Sequence, residues 1–273
     1  MTKKTSDGVF LFAYTLECLC SCYSTDVLKE KERPFEFSMI NSDDRKLVGQ
    51  SVYEQLRSDI VTGKLLPGEK LKLNALRIRY SASVNTLRET LMRLVSDGFV
   101  LFVDQKGFTV KPVSTADLHE LLELRQMLEL SAVRKSMENK TGQMEWKSAL
   151  ISAQFRLNCV EKQMMEDEAS HVEAWEKADR DFHVTMVSHC GSQQLIRYHA
   201  SVIELYMRYQ VLALNRRPFR GQASMEEHQQ LLKHLLDDET ELVLSILDSH
   251  IQKGLFLPDA EKVPLDMKSK AIA

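Results

Sequence analysis

Apolar residues recur at helical spacing in the first regular segment of the chain, Gln50 to Thr62. Val52, Leu56 and Ile60 fall on one face of a helix with 3.6 residues per turn. Gly63 follows where a glycine in the left-handed conformation ends a helix. The pattern therefore predicts an amphipathic helix that ends at this glycine.

A second short helix is predicted for residues 75–80, and a third begins after Ser83. Ser83 is a favourable N-cap because its hydroxyl can accept a hydrogen bond from a free backbone N–H of the first turn. The third helix carries apolar residues at helical spacing and ends at Gly98. Three helices thus follow one another within about 50 residues, an order typical of helix-turn-helix modules.

Two short runs with strand character follow, Phe99–Val103 and Phe108–Val110. Residues 104–107 between them include a glycine, so the two runs and their loop predict a β-hairpin. Three helices and a hairpin form the winged helix-turn-helix, in which the third helix enters the major groove and the hairpin is the wing.

The pattern changes after Pro112, where strand signals nearly disappear. Ser114 can cap a long helix, and amphipathic periodicity continues almost to the end of the chain. The predicted helices cover 115–139, 143–165, 169–190, 192–214, 222–236 and 239–253. We therefore expect a mainly α protein, with a winged helix-turn-helix domain (48–112), an all-helical bundle (115–253) and a C-terminal tail (254–273).

Charge is distributed unevenly between these parts. Residues 48–112 contain ten Lys and Arg against six Asp and Glu, a net charge of +4, whereas the whole chain carries −3 and the remainder therefore −7. A basic module suits contact with phosphates, and an acidic module is repelled by them.

Residues 1–42 do not resemble the rest of the chain. The apolar stretch Val9–Tyr23 lacks a cleavage site, contains Glu17 and is too short to span a bilayer, which needs about 20 residues. We expect no membrane segment here. Either the start is misassigned and translation begins at Met39, or residues 1–42 form a functional extension.

The five cysteines are an odd number without a paired framework, which favours a reducing, cytoplasmic location.

Several motifs resemble those of a known family. The segments GKLLPGEKL (63–71), LRETLMRL (87–94) and GFV (98–100) are similar to the DNA-binding signature of the GntR family of bacterial transcription regulators. The helical half resembles the FadR-type branch with an FCD ligand-binding domain, through LRQMLE (124–129), DRDFH (179–183), GS (191–192), EH (227–228) and His250.

Four residues of the helical half are candidate metal ligands. Asp179 and His183 are four positions apart and project from one face of a helix. The resemblance implies that His228 and His250 join them from two later helices, as in FCD domains. One carboxylate and three imidazoles form a borderline donor set that suits Zn or Ni better than Ca or Mg.

The same resemblance provides candidates for binding an effector. Arg125 matches an arginine that in FCD domains points into the cavity and could pair with a carboxylate. A helix-surface ion pair with Glu129, four residues further on, is the alternative. Arg208, Arg216 and Arg217 are further candidates, whereas His171, His189, His199 and His234 are interpreted as surface or packing histidines.

The DNA-binding candidates lie in the N-terminal module. Arg88 is expected to read a guanine edge or to bind a phosphate from the third helix. Many members of the branch have an arginine directly after the capping residue, where this chain has Val84, so we expect a different operator. Ser83, Asn85 and Thr86 at the start of the third helix are candidates for contacts with phosphates or bases. Lys72, Arg77 and Arg79 are candidates for contacts with the DNA backbone. Lys106 and Gly107 lie at the wing tip, where the family reaches the minor groove.

Two classes of function fit these features. The first is a homodimeric transcription regulator, a repressor, whose affinity for a double-stranded operator is controlled by a small organic acid bound in a metal-containing helical domain. The alternative is a metal-dependent hydrolase or oxygenase that uses the Asp and three His. The second lacks a nucleophile motif and a glycine-rich phosphate loop, and it leaves the winged helix without a role.

Overall fold

The computed structural model of the chain describes residues 42–214 and 218–254, with side chains from residue 49 onward. Its helices are α1 (Ser42–Val61), α2 (Leu73–Arg79), α3 (Val84–Ser96), α4 (Thr115–Glu138), α5 (Gln143–Glu166), α6 (Glu168–Val187), α7 (Gln193–Leu214), α8 (Gln222–Leu236) and α9 (Thr240–Lys253). Its strands are β1 (Lys70–Leu71), β2 (Val100–Val103) and β3 (Gly107–Val110). The chain is thus mainly α-helical, as the sequence predicts.

The N-terminal elements form a winged helix-turn-helix. Strands β2 and β3 pair as an antiparallel hairpin with Val103 opposite Gly107, and β1 adds to the other edge of β3. Ser83 caps α3 by accepting a hydrogen bond from the backbone N–H of Thr86 at 3.1 Å, as predicted. Gly63 adopts a φ of +76°, in the left-handed region expected after the end of α1.

Helices α4 to α9 form the bundle. Helix α5 packs against α6 and α8, and α4 packs against α6, α7 and α9. Ser114 caps α4 through the backbone N–H of Asp117 at 3.1 Å. The interior contains large apolar residues such as Leu150, Leu157 and Phe182, all fully buried.

Several element bounds differ from the predicted ones, most clearly at the start of α1, at β1 and at the end of α6. Helix α1 begins at Ser42, eight residues before the predicted Gln50. Strand β1 was not predicted, because a two-residue strand is too short to show a periodic pattern. Helix α6 ends at Val187 rather than at residue 190.

Some expectations concern residues outside the part that the structure describes. These are the extension with its apolar stretch and Met39, the arginines at 216 and 217, and the tail after Gly254. Within residues 42–214 and 218–254, no helix combines the length and apolar character needed to cross a bilayer.

Candidate metal centre and DNA-binding surface

Three of the four predicted metal ligands converge inside the bundle. His183 on α6, His228 on α8 and His250 on α9 each offer a ring nitrogen, and these atoms lie within 4.8 Å of one another. Asp179 lies one turn before His183 on α6, and its Oδ1 is 3.6 Å from Nε2 of His228. All four residues are buried, so the structure brings the predicted set together away from bulk solvent.

A glutamate holds each of the three histidines through Nδ1. His183 contacts Glu129 of α4, whereas His228 contacts Glu161 of α5 and His250 contacts Glu227 of α8, the latter two at 2.8 Å. A carboxylate that accepts Nδ1–H fixes the tautomer and leaves Nε2 as the lone-pair donor, an arrangement common around protein-bound metals. Sequence reasoning assigned none of these glutamates to a histidine, although Glu227 directly precedes His228.

The residues fit a divalent cation. Nε2 of His183 and Nε2 of His228 are buried and have no hydrogen-bond partner among the described residues. Glu129, Glu161 and Asp179 are the buried carboxylates around the histidines, and Arg125, which pairs with Glu129, is the buried guanidinium beside them. Three negative charges against one positive charge leave −2 when all are ionised, which a divalent ion would balance.

The ionisation of the histidines differs around the centre. Burial lowers the pKa of His183, and burial lowers that of His250 to about 3, so both are neutral imidazoles with a free electron pair at neutral pH. Burial acts in the same direction on His228, but the hydrogen bond and charge of Glu161 outweigh it and raise the pKa. Metal binding requires the neutral form of each ring.

A cavity of about 40 Å³ adjoins the centre. Asp179 and His250 line it, and the other lining residues are Arg125, Trp175, Tyr206, Met207, Gln210, Leu214, Phe219, Arg220 and Ser224. Since a buried water needs roughly 10–15 Å³ of such space, the cavity has room for about three waters or one small group. Two arginines beside a metal-ligand cluster give this space a preference for anions.

The predicted arginines occupy different places. Arg125 is buried, lines the cavity, and pairs with Glu129 at 2.8 Å. The cavity position and the ion pair, which the sequence offered as alternatives, therefore occur together. The pair lies inside the bundle rather than at the helix surface. Arg208 is not among the cavity residues; its Nη2 donates to the carbonyl of Lys111 at 2.5 Å, near the start of α4. Burial lowers the pKa of Arg208 to about 10. Arg220, which the sequence did not single out, lies in the cavity instead.

Of the histidines interpreted as surface or packing residues, one has a different environment. His199 on α7 is fully buried, and its Nε2 lies 3.1 Å from Oε2 of Glu129. Its neighbourhood is therefore that of the metal centre, although it is not in the three-histidine cluster. By contrast, His189 stacks on Trp146 and His234 contacts Glu239, in keeping with packing or surface roles.

The predicted DNA-binding residues divide into two groups. Helix α3 buries Leu87, Leu91 and Leu94 against the core and leaves Arg88 exposed at the side of that face. Arg88 lines a groove between α3 and the wing, together with Lys70, Lys72, Val84, Lys106 and Gly107. This groove is basic and open, which suits a phosphate backbone or a base edge.

The other predicted residues lie outside this groove. Ser83 and Thr86 are joined by a hydroxyl–hydroxyl hydrogen bond of 2.8 Å as part of the helix cap. Arg79 forms an ion pair with Asp59 at 2.6 Å, while Arg77 and Asn85 are exposed.

At the wing tip, Gly107 of the groove has a φ of +78°, a backbone conformation that favours glycine.

Comparison with known proteins defines the class of this molecule. The family described as bacterial regulatory proteins, gntR family, matches residues 49–110, and the FCD domain matches residues 120–253. A winged helix-turn-helix joined to a helical domain with a histidine cluster is thus a DNA-binding transcription regulator. The chain belongs to the GntR family of bacterial regulators, in its FadR-type branch with an FCD domain.

Several relatives are regulators as well. The chain is 35% identical over 208 residues to the uncharacterised HTH-type transcriptional regulator BphR of Paraburkholderia xenovorans, covering 76% of this chain and 83% of that protein. It is 28% identical over 206 residues to the HTH-type transcriptional repressor GlaR of Escherichia coli, covering 73% and 90%. The solved structure of Escherichia coli McbR/YncC shares the fold, with a TM-score of 0.63, 24% identity and coverage of 76% and 94%. Because this family is one of regulators, the metalloenzyme alternative is not supported.

Proposed function

We propose that this chain is a homodimeric repressor whose affinity for a palindromic operator changes when a small carboxylate binds beside a divalent metal in the FCD domain. The observation that carries this proposal is the anion-suited cavity, whose wall includes both His250 and the guanidinium groups of Arg125 and Arg220. A relative named as a transcriptional repressor supports the sign of regulation.

The metal would be held by His183, His228, His250 and Asp179. Imidazole nitrogens and one carboxylate favour Zn or Ni over harder ions such as Mg. The ion would supply a fixed positive charge for an effector carboxylate. Arg125 and Arg220 would hold the remaining oxygens, although each already pairs with a glutamate, Glu129 and Glu227 respectively.

The size of the cavity supports a small acid as the effector. About 40 Å³ is too little for an acyl-CoA thioester without a large rearrangement, whereas a carboxylate group requires only the space of a few waters. Burial of a carboxylate without charged partners would be unfavourable, and the arginines reduce that cost.

Two of the helices that line the cavity, α6 and α7, also contact the DNA-binding module. On α6, Glu176 follows Trp175 of the cavity and pairs with Arg57 of α1 at 3.1 Å. On α7, Glu204 precedes Tyr206 of the cavity by two residues and pairs with the same Arg57 at 3.2 Å. An effector that shifts either helix would therefore shift contacts to the winged helix, which is the differential interaction that allosteric control requires.

The test combines metal loading with operator binding. Protein dialysed without metal and protein reloaded with Zn or Ni would be titrated against DNA from upstream of its own gene, with and without acetate, lactate, succinate and glutarate. We expect about one metal per chain, two chains per operator by light scattering, and weaker operator binding with at least one acid. Operator affinity that is independent of every acid in the metal-loaded protein would contradict effector control.

A further inference from the structure

The indole of Trp175 has an unusual environment in the cavity. Trp175 is 7% exposed, lines the cavity, and its Nε1–H has no acceptor among the described residues. Trp146, the other tryptophan of the chain, donates its Nε1–H to the carbonyl of Thr185 at 2.9 Å. Buried indole N–H groups usually find an acceptor, so the unpaired donor of Trp175 needs an explanation.

The position of Trp175 on α6 relates it to the metal centre. Trp175, Asp179 and His183 are spaced four residues apart, so they lie on one face of the helix at intervals of about 6 Å along its axis. The indole therefore precedes the ligand pair by one turn along the same face. A molecule bound at the metal centre and extending along α6 would reach it.

The neighbours of Trp175 hold the ring without pairing its N–H. Phe219 packs against it edge to face, with ring centroids 5.3 Å apart and an interplanar angle of 70°. The indole nitrogen only donates, so a ligand must offer an acceptor oxygen to pair with it. The arginines of the cavity also only donate, and their charge selects an anionic acceptor.

We propose that Trp175 is an effector-binding residue whose Nε1–H donates to a carboxylate oxygen of the bound acid. This inference rests on the proposed function and adds the residue that distinguishes an acid from an isosteric molecule lacking an acceptor at that position. It also places the contact next to Glu176, which joins α6 to the DNA-binding module.

Nuclear magnetic resonance can test this directly because the chain contains two tryptophans. In the full chain loaded with Zn, the W146F variant has a single indole N–H signal, that of Trp175. Titration with acetate, lactate, succinate and glutarate should move this signal downfield with at least one acid. In the W175F variant the remaining signal, from Trp146, should not move.

Affinity measured by calorimetry provides the second arm. W175F keeps an aromatic ring against Phe219 but removes the donor, and should weaken binding of the same acid about tenfold to a hundredfold, as for a hydrogen bond to a charged group. W146F should leave acid affinity unchanged, and Zn content should be the same in all three proteins.

The outcomes separate the two proposals. Equal acid affinity in wild type and W175F, or an indole signal of Trp175 that stays in place at saturation, would overturn the role of Trp175 and leave effector binding intact. Failure of every acid to bind the Zn-loaded wild type would overturn the proposed function and this inference with it. If W175F does not fold, the titration of W146F decides alone.

Discussion

Arg57 of α1 bridges two glutamates of the helical domain: its Nη2 lies 3.1 Å from Glu176 of α6, and its Nε lies 3.2 Å from Glu204 of α7. The side chains of Arg57 and Glu176 are 11% and 6% exposed. Although burial acts to lower the pKa of Arg57, the charges of the two glutamates outweigh it and raise that pKa, so the guanidinium stays charged. Because its two partners are on different helices, the contacts of this buried charge depend on the relative position of α6 and α7.

This relationship predicts an uncoupled variant. Glu176→Gln keeps a similar shape but removes the charge, and should lower the factor by which the acid changes operator affinity while acid binding by calorimetry stays unchanged. The loss of a hydrogen bond between charged groups should also lower the free energy of unfolding by about 1–3 kcal/mol. The control is Lys64→Met, which removes an exposed ion pair between the same two modules. An unchanged acid effect in Glu176→Gln would exclude this route.

The metal centre predicts the result of removing two ligands. In the double variant H228A/H250A, two of the three imidazoles of the cluster are lost, so tight binding of Zn or Ni and the response to acid should both disappear. Operator binding should remain measurable, because the basic groove lies on α3 and the wing. Metal content and thermal shift on adding Zn provide the readouts, with H234A as a control outside the cluster. Retained acid response in the double variant would contradict the role of the metal.

The glutamate behind His228 predicts a graded effect. Glu161 is fully buried and contacts Nδ1 of His228 at 2.8 Å, so Glu161→Gln should weaken metal binding about tenfold to a hundredfold without abolishing it. Glu166→Gln, an exposed change on the same helix, should leave metal affinity unaltered. Competition with a chelator of known affinity measures both. Equal metal affinity in the two variants would show that Glu161 does not tune the histidine.

Local patterns predicted most of the fold. The caps formed by Ser83 and Ser114, the glycine after α1 and the helical periodicity after Pro112 depend on neighbouring residues, and the structure contains each of them. Strand β1 was missed because its two residues pair with β3, which lies about 40 residues later in the sequence, and not with a neighbouring segment. The early start of α1 lies in a stretch whose apolar spacing gives little signal.

The site was predictable only in part for a related reason. Asp179 and His183 share a helical face, so their spacing alone suggested a pair of ligands. Glu161 and Arg220 reach the centre from elements distant in the sequence, and nothing local to them indicates it. The spacing from Arg125 indicated Glu129 only as an ion-pair partner at the helix surface, because its contact with His183 depends on how α4 and α6 pack. His199 was interpreted as a packing residue for the same reason, since its contact with Glu129 depends on how α4 and α7 pack.

The exposed arginine of α3 predicts a specificity effect. Arg88→Ala should weaken binding to the operator by about 1–3 kcal/mol if the guanidinium pairs with a base edge, with a smaller effect on random DNA of equal length. Arg156→Ala is the control, because Arg156 is an exposed arginine of α5, outside the DNA-binding module. Fluorescence anisotropy on both DNAs measures the difference. An equal loss on operator and random DNA would assign Arg88 to the phosphates.

Lys106 at the wing tip predicts an electrostatic effect instead. It is exposed and lines the same groove as Arg88, next to Gly107, whose backbone is in the left-handed region. A lysine on a phosphate releases counterions, so Lys106→Ala should reduce affinity on all sequences and lower the slope of log affinity against log salt by about 0.9. Lys162→Ala, an exposed lysine of α5, should change neither value. Because an uncharged contact contributes no counterion release, an unaltered slope in Lys106→Ala would exclude a phosphate contact even if affinity fell.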